Sequence, residues 1–268
     1  MENLIDKSIR AIVKTSVESY ASGFSDRHIA EQHNPEGTIN MKIHNIFISL
    51  LGTEIQYYTA LVRSLDSSLG YMLEKMAMNI AGLNYTVNNE VSGFITANQV
   101  SKIAELLESY KRRNKKPEVL DYMSFSILTE SEKIKLRHDS DYYLVDEDTG
   151  IHYLIELKIG GDLDNKKARS EKEALLEQFC ILSNTLGNAS CIKLKFATAY
   201  NRYGEDKPWI QERVKQFFAE DGLLIGKEFW NFVCKSENGY NIVIDEYKNN
   251  CHLIRLALEQ IKQIYLGE

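Results

Sequence analysis

The sequence predicts an α/β (α+β) fold in which helices flank a mixed central β-sheet and the N-terminal half is helical. Three observations predict it. Helix-spaced apolar residues dominate the chain up to about residue 110, two apolar runs flank a turn-like segment at 146–150, and residues 191–200 alternate apolar and polar side chains as a strand does. We expect a single domain over residues 1–268, with a helical part to about 110 and a core over about 111–235 that carries the chemistry.

The N-terminal elements follow from apolar residues at helical intervals. One amphipathic helix is predicted over residues 2–21, and Gly23 opens a polar loop that runs to about residue 39. The pattern from 43 to 81 predicts two or three helices, with breaks near Gly52 and around Ser67.

Composition is ordinary for a soluble globular protein. The 268 residues are 44% hydrophobic and 26% charged, and the net charge of −6 argues against a general polyanion binder while allowing a local basic cleft. The four cysteines are widely spaced and form no Cys-x-x-Cys pair, so neither a zinc site nor a disulfide framework is indicated. Without a signal peptide or a membrane-length apolar run, the protein is expected in the cytoplasm and away from membranes.

The predicted β-hairpin carries the most informative residues. Its first strand opens with Asp141, and its second strand, from Ile151 to Ile159, contains Glu156 and Lys158. Side chains two residues apart on a strand point to the same face. A lysine and a carboxylate on an apolar strand are costly to bury unless they are paired or bind an ion.

Metal-assisted hydrolysis of a phosphodiester is the chemistry that needs this set. Carboxylates are hard oxygen ligands for an ion such as Mg²⁺, and a nearby ammonium can orient water or stabilise the transition state. Asp139 lies two residues before Asp141, so either acid can be the ligand; Asp141 is preferred because the apolar strand starts directly after it. The alternative is a surface salt bridge between Glu156 and Lys158.

At these residues the sequence resembles the PD-(D/E)XK nuclease superfamily, whose signature is an acid on one strand and acid-x-Lys on the next. Here Asp141 is followed after fourteen residues by Glu156-Leu-Lys158, and Ser140 replaces the usual proline before the first acid. From roughly Phe47 to Val233 the chain is also similar to type II restriction endonucleases of the TdeIII-like branch. The resemblance implies a restriction-endonuclease-like fold.

The resemblance further implies a function and its partners. The implied function is hydrolysis of double-stranded DNA at a short, palindromic site, with Mg²⁺ as cofactor, for which Mn²⁺ can substitute. The implied oligomer is a homodimer whose two-fold axis matches that of the site. The implied genetic partner is a cognate DNA methyltransferase. Glu74, on a helix before the hairpin, is a candidate metal ligand, and Gln178 and Lys172, on the helix after it, are candidates to face the metal.

Basic residues near the motif are candidates for DNA contacts. The densest cluster follows the helix predicted over 101–110, where it is either a phosphate-contacting patch or a solvated helix end. Others follow the motif, and two lie in a polar loop after the strand at 191–200. The full set is Lys111, Arg112, Arg113, Lys115, Lys116, Lys166, Lys167, Lys172, Arg202 and Lys207.

Three functional hypotheses remain open from the sequence. The first is a type II restriction endonuclease, the second a structure-specific DNA repair or recombination nuclease of the same superfamily, and the third a catalytically inactive DNA-binding protein. A single domain with no helicase motif, no P-loop and no zinc module favours the first over the second. The presence of all three catalytic residue types in register disfavours the third.

Overall fold

The computed structural model of the chain describes residues 4–126, 132–161 and 163–267, with residues 139–141 described by their backbone alone. The described residues form two compact units. One comprises the described residues of Met1–Asn79 and Asn241–Glu268, and the other is Ile80–Tyr240. The single domain expected from the sequence stays a prediction, and each unit is described by itself.

The second half of the chain contains both strands and helices, as predicted. In chain order the helices are α1 (Leu4–Ala30), α2 (Ile46–Ser49), α3 (Thr53–Ala81), α4 (Ala97–Lys111), α5 (Asn165–Leu186), α6 (Glu212–Lys215), α7 (Lys227–Cys234), α8 (Gly239–Asn250) and α9 (His252–Leu266). The strands are β1 (Thr86–Thr96), β2 (Lys133–Asp146), β3 (Ile151–Leu157), β4 (Ile192–Thr198) and β5 (Leu223–Ile225). In the described part of the chain, no helix is both long and apolar enough to span a bilayer.

The first unit is helical. Val17 and Ala21 of α1 pack against Ile254 and Ala257 of α9 in a buried cluster. The helix α1 continues through Gly23 to Ala30, because its later turns are buried too, so the predicted end at residue 21 is wrong. The predicted break around Ser67 is also wrong, since α3 runs through it.

The second unit contains one five-stranded sheet, counted over the described residues, with the order β1-β2-β3-β4-β5. Neighbours from β1 to β3 are antiparallel, and β3, β4 and β5 are parallel. The helix α5 connects β3 to β4 across one face, as parallel neighbours require. The mixed sheet flanked by helices confirms the predicted fold class.

Each face of the sheet has its own apolar packing. On one face Leu154 of β3 and Leu194 of β4 belong to the main core with Phe179 of α5. On the other face the ring of Tyr142 contacts Phe229 of α7 edge-on, with centroids 6.3 Å apart. Because side chains alternate along β3, Glu156 projects to the same face as Leu154, toward α5.

Candidate active site

The acid-x-lysine pair lies at the carboxyl end of β3. Glu156 is the sixth residue of the strand, and Lys158 continues the ladder by donating its backbone N–H to the carbonyl of Ala197 at 3.0 Å. In the parallel register Glu156 stands beside Phe196, a core residue of β4. Loops at the carboxyl ends of parallel strands are common places for functional residues.

Burial and pairing distinguish this couple from a surface salt bridge. Glu156 is only 8% exposed. Its Oε1 atom forms an ion pair with Nζ of Lys158, whose side chain is about one-third exposed. A buried carboxylate is stable in its charged form when a cation is held beside it. The ammonium therefore lies between a buried acid and solvent.

A second carboxylate, Glu171 of α5, contacts the same lysine. Its Oε1 atom lies 3.3 Å from Nζ of Lys158. Asp164 is the N-cap of this helix, and its side chain accepts a hydrogen bond from the N–H of Lys167 at 2.8 Å. This cap fixes where the first turns of α5 lie. Glu171 was missed from the sequence, because its contact depends on how α5 folds back over β3.

The first acid of the motif lies in β2. This strand begins at Lys133, so the prediction that Asp141 opens a strand is wrong. Tyr142 pairs with Ile155 and Tyr143 with Leu154. Asp141 directly precedes Tyr142, so its backbone lies next to the place where β2 begins to pair with β3. The side chains of Asp139 and Asp141 lie outside the described part of the structure.

The pairing of β1 with β2 is irregular at the same place. Asn88 pairs with Tyr143 and Glu90 pairs with Asp139. An advance of two residues along β1 therefore corresponds to four residues along β2. Such a bulge bends the strand and changes the direction of its side chains, and bulges are frequent beside active sites. Asp139 therefore pairs with Glu90 of β1. Asp141 directly precedes Tyr142, which pairs with Ile155 of β3.

An acid–histidine pair lies three residues before Asp141. Nε2 of His138 on β2 is 2.9 Å from Oε2 of Glu177 on α5. Burial raises the pKa of Glu177, and the neighbouring His138 opposes this. The pair ties β2 to α5 next to the motif. Sequence reasoning did not assign it a role, since only the register of α5 on the sheet brings the two residues together.

The two candidates on α5, Lys172 and Gln178, are both buried. Lys172 is 4% exposed, and its ammonium lies 4.9 Å and 5.1 Å from the ring centroids of Tyr122 and Phe218. This burial argues against the predicted DNA contact of Lys172. Gln178 is also buried, and its Oε1 atom has no hydrogen-bond partner among the described residues. Its role near a metal stays a prediction.

The loop that follows β4 lies beside the segment that follows β3. A Cβ atom added to Gly160 would be 2.5 Å from Oη of Tyr200, and one added to Gly161 would be 2.7 Å from Cγ2 of Thr198. The loop itself is ordered by Asn201, whose side chain donates to the carbonyl of Lys207 at 2.7 Å. Both Arg202 and Lys207 are exposed on this loop.

The basic cluster at 111–116 is partly neutralised. Lys111 and Arg112 pair with Glu108 at 3.6 Å and 2.9 Å, and Lys115 pairs with Asp121 at 2.6 Å. Arg113 and Lys116 are exposed, as are Lys166 and Lys167 at the start of α5. Lys111, Arg112 and Lys115 are exposed as well, but acidic neighbours partly neutralise them. The basic residues outside these three ion pairs are therefore better placed to meet a phosphate backbone.

The described side chains include no group of three His, Cys, Asp or Glu residues that could hold a metal ion. One part of a hard-oxygen set is nevertheless present among the described side chains, the buried carboxylate of Glu156. A carboxylate is a ligand of the kind that suits Mg²⁺. Glu74, the weaker candidate, is half-buried on α3 in the helical unit, and its role as a ligand stays a prediction.

Comparison with known proteins identifies the family. Neither the curated proteins nor the solved structures contain a match to this chain. The family model described as type II restriction endonuclease, HinfI, matches residues 1–251. This match includes both strands of the motif and covers most of the chain. It does not support the TdeIII-like branch or test the PD-(D/E)XK superfamily, which both stay predictions. The chain belongs to the HinfI family of type II restriction endonucleases.

Proposed function

We propose that this protein hydrolyses phosphodiester bonds in double-stranded DNA at a short recognition site, with Mg²⁺ as cofactor. Membership of a restriction endonuclease family makes it a DNA-cleaving enzyme. The observation that carries the finer proposal is the buried Glu156 paired with Lys158 at the end of β3. Continuing the β2–β3 register by one residue beyond the Tyr142–Ile155 pair would bring Asp141 of the neighbouring strand across from Glu156.

Asp141 and Glu156 are the residues that would hold the metal ion, and Asp139 is the alternative to Asp141. When bound, such an ion lowers the pKa of a coordinated water and neutralises charge on the phosphate. We favour Asp141 because continuing the β2–β3 register by one residue beyond Tyr142–Ile155 would set its backbone across from Glu156, whereas Asp139 pairs with Glu90 on β1.

Lys158 supplies a positive charge and hydrogen-bond donors. Its ammonium is held by Glu156 and Glu171, so its position is defined before any substrate binds. A preorganised donor next to the reacting phosphate stabilises the transition state more than a mobile one, because no reorganisation is needed during the reaction. We assign Lys158 to orienting the attacking water and stabilising the phosphorane.

DNA would lie along the edge of the sheet where β3 and β4 end. The exposed side chains Lys166, Lys167, Arg202 and Lys207 belong to the segments that follow these strands. Contacts of this type position the duplex, while base recognition needs donors and acceptors in the grooves. We further propose a homodimer, a palindromic site, a cognate DNA methyltransferase and a cytoplasmic location. Mn²⁺ would replace Mg²⁺ in the reaction.

Cleavage of a sequenced plasmid tests this function. The wild type should cut at fixed positions only with Mg²⁺ or Mn²⁺ present, and Lys158→Ala and Glu156→Gln should each reduce cutting by ~10³-fold or more. Lys193→Ala, which removes a half-buried lysine from β4, is the matched control and should cut normally. Undiminished cutting by Lys158→Ala would remove the assigned mechanism.

The same assay separates the remaining alternatives. Asp141→Asn should abolish cutting and Asp139→Asn should retain it; the reverse result would transfer the ligand role to Asp139. Fragments with fixed end sequences support a restriction enzyme. Cutting confined to branched or flapped DNA would instead indicate a repair nuclease, and binding without any cutting would indicate an inactive DNA-binding protein.

A further inference from the structure

A short segment of the helical unit exposes an unusual amount of apolar surface. Nine of the 21 exposed large hydrophobic residues in the described ranges fall within residues 41–62. We call them the apolar surface; they are Met41, Ile43, Ile46, Phe47, Leu50, Leu51, Ile55, Tyr58 and Val62. Phe47 and Leu50 of this set are 82% and 79% exposed.

The apolar surface comes from consecutive elements of one chain segment, since Met41 and Ile43 directly precede α2 and the other members lie on or between α2 and the first turns of α3. On α3, Ile55, Tyr58 and Val62 are spaced at i, i+3 and i+7, which places them on one side of the helix. Another side of the same helix is already used, because Tyr57 and Leu61 are buried in the core of the helical unit. The helix α3 therefore has two apolar sides, of which one is covered within its unit and one is exposed.

The exposed area is comparable to one half of a stable protein interface. The exposed fractions of the nine side chains together equal about five complete side chains, or ~800 Å² at ~150 Å² for each large apolar side chain. A typical monomer exposes its largest apolar patch over only ~300–600 Å². A standard interface buries ~800 Å² on each partner.

Charge identifies the kind of partner. Between Lys42 and Arg63 the only acidic or basic residue, apart from His44, is Glu54. A nucleic acid or an anionic membrane is bound by clustered lysine and arginine, which this segment lacks. A second copy of the chain presents the same neutral apolar surface, and a two-fold axis makes such a surface self-complementary. Depletion of charge at the centre is also typical of interfaces.

We propose that the apolar surface is where two copies of this chain associate as a homodimer. The inference rests on the proposed function only for the choice of a dimer. It does not depend on the catalytic residues, since all nine side chains belong to the helical unit and Glu156 and Lys158 to the other. Loss of cutting and loss of association are therefore separate results.

Light scattering on the purified full-length protein during size-exclusion chromatography tests the proposal. At ~10 µM the wild type should have twice the chain mass of 30.8 kDa. Leu50→Asp should run as a monomer, because a buried unpaired charge at each interface weakens association by at least ~100-fold. The matched control is Leu120→Asp, which changes a leucine of similar exposure, 76%, in the other unit and should remain a dimer.

Folding of the variants is checked by circular dichroism, and Val62→Asp provides a second variant should Leu50→Asp misfold. Hydrogen exchange on the wild type adds an independent measurement, in which amides of residues 46–62 should gain protection on going from dilute to concentrated protein. A monomeric wild type, or a dimer that both surface variants preserve, would overturn the proposal, as would binding of this surface to lipid vesicles without dimerisation. Lys158→Ala should still dimerise, which keeps this outcome distinct from a failed catalytic assignment.

Discussion

Nζ of Lys158 lies 3.3 Å from Oε1 of Glu171, so the lysine of the motif is held from the helix α5 as well as from its own strand. The second contact matters because the side chain of Lys158 is about one-third exposed and would otherwise sample several rotamers. An ammonium that is fixed by two carboxylates is directed toward one position above the end of β3.

We expect Glu171→Gln to lower kcat by ~10-fold with little change in KM, since loss of a residue that positions a catalytic group typically costs ~10–100-fold. Glu171→Asp should recover part of the rate. The measurement is steady-state cleavage of a short duplex at varied duplex concentration. The control is Glu237→Gln, which changes an exposed carboxylate of the second unit. Equal kcat values for Glu171→Gln and the control would show that Lys158 needs no support from α5.

Gly161 ends the segment that follows Lys158, and its backbone has a φ of +63°. An alanine there would be strained, and its Cβ atom would lie 2.7 Å from Cγ2 of Thr198. Gly150, in the turn between β2 and β3, has a similar φ of +67° but no atom within 4 Å of an added Cβ. An alanine at Gly150 would therefore show the effect of backbone strain alone, whereas an alanine at Gly161 would add steric overlap to the strain.

We expect Gly150→Ala to cost ~1 kcal/mol of stability and to leave cutting normal. Gly161→Ala should cost ~2–3 kcal/mol, because overpacking adds to the strain, and should reduce cutting by displacing the segment next to Lys158. Urea unfolding and plasmid cleavage measure the two effects. Equal stability losses for the two variants would mean that the overlap with Thr198 is relieved by a small shift.

Asp146 closes the β2–β3 turn. Its side chain accepts hydrogen bonds from Nζ of Lys235 at 3.0 Å and from the N–H of Asp148 at 3.1 Å. Burial opposes ionisation of this carboxyl, but these donors prevail and hold the pKa of Asp146 below its usual value. A depressed carboxyl pKa stabilises the fold above the unfolded pKa of about 3.8, and this contribution is lost as the pH falls further.

We expect Asp146→Asn to cost ~1–2 kcal/mol at pH 7, because the ammonium of Lys235 and the N–H of Asp148 lose a charged acceptor that is buried. The cost should shrink as the pH falls below about 4. Asp148→Asn is the control: Asp148 also contacts Lys235, at 2.8 Å, but its side chain is 84% exposed, and exposed ion pairs contribute little. Thermal unfolding at pH 7 and pH 3 checks both variants; a larger loss for Asp148→Asn would contradict the assignment.

The features that could be predicted from the sequence are those set by local chemistry. The turn around Gly150 and the alternation of β4 depend on residues close in sequence, and each predicted its element. Glu156 and Lys158 share a face because a strand has a two-residue period, which no distant contact alters.

The features that could not be predicted depend on packing. Gly23 and Ser67 suggest helix ends by propensity, but both α1 and α3 continue because their buried faces stabilise them. The contact between Lys158 and Glu171 and the burial of Lys172 both depend on how α5 lies on the sheet. Sequence spacing predicts the side of a helix on which a residue lies, but it does not predict which residues of other elements contact that side.

Lys172 provides a test of that burial. Desolvation lowers the pKa of its ammonium from the usual 10.5 to about 8, with the carboxylates of Asp121 and Asp221 opposing the shift. Between pH 8 and 10.5 the unfolded chain binds more protons at this site than the folded chain does. The stability of the wild type should therefore rise with pH in that interval.

We expect Lys172→Met to be more stable than the wild type at pH 7 by ~1–3 kcal/mol. A pKa lowered from 10.5 to about 8 corresponds to ~3 kcal/mol, and the cation–π contacts with Tyr122 and Phe218 offset part of it. The gain should decrease between pH 8 and pH 10, because the wild-type lysine then becomes neutral. Urea unfolding at pH 7, 8.5 and 10 measures this, with the exposed Lys167→Met on the same helix as control. A stability difference that does not change with pH would mean that the ammonium of Lys172 reaches solvent, because only a desolvated lysine loses its proton in this range.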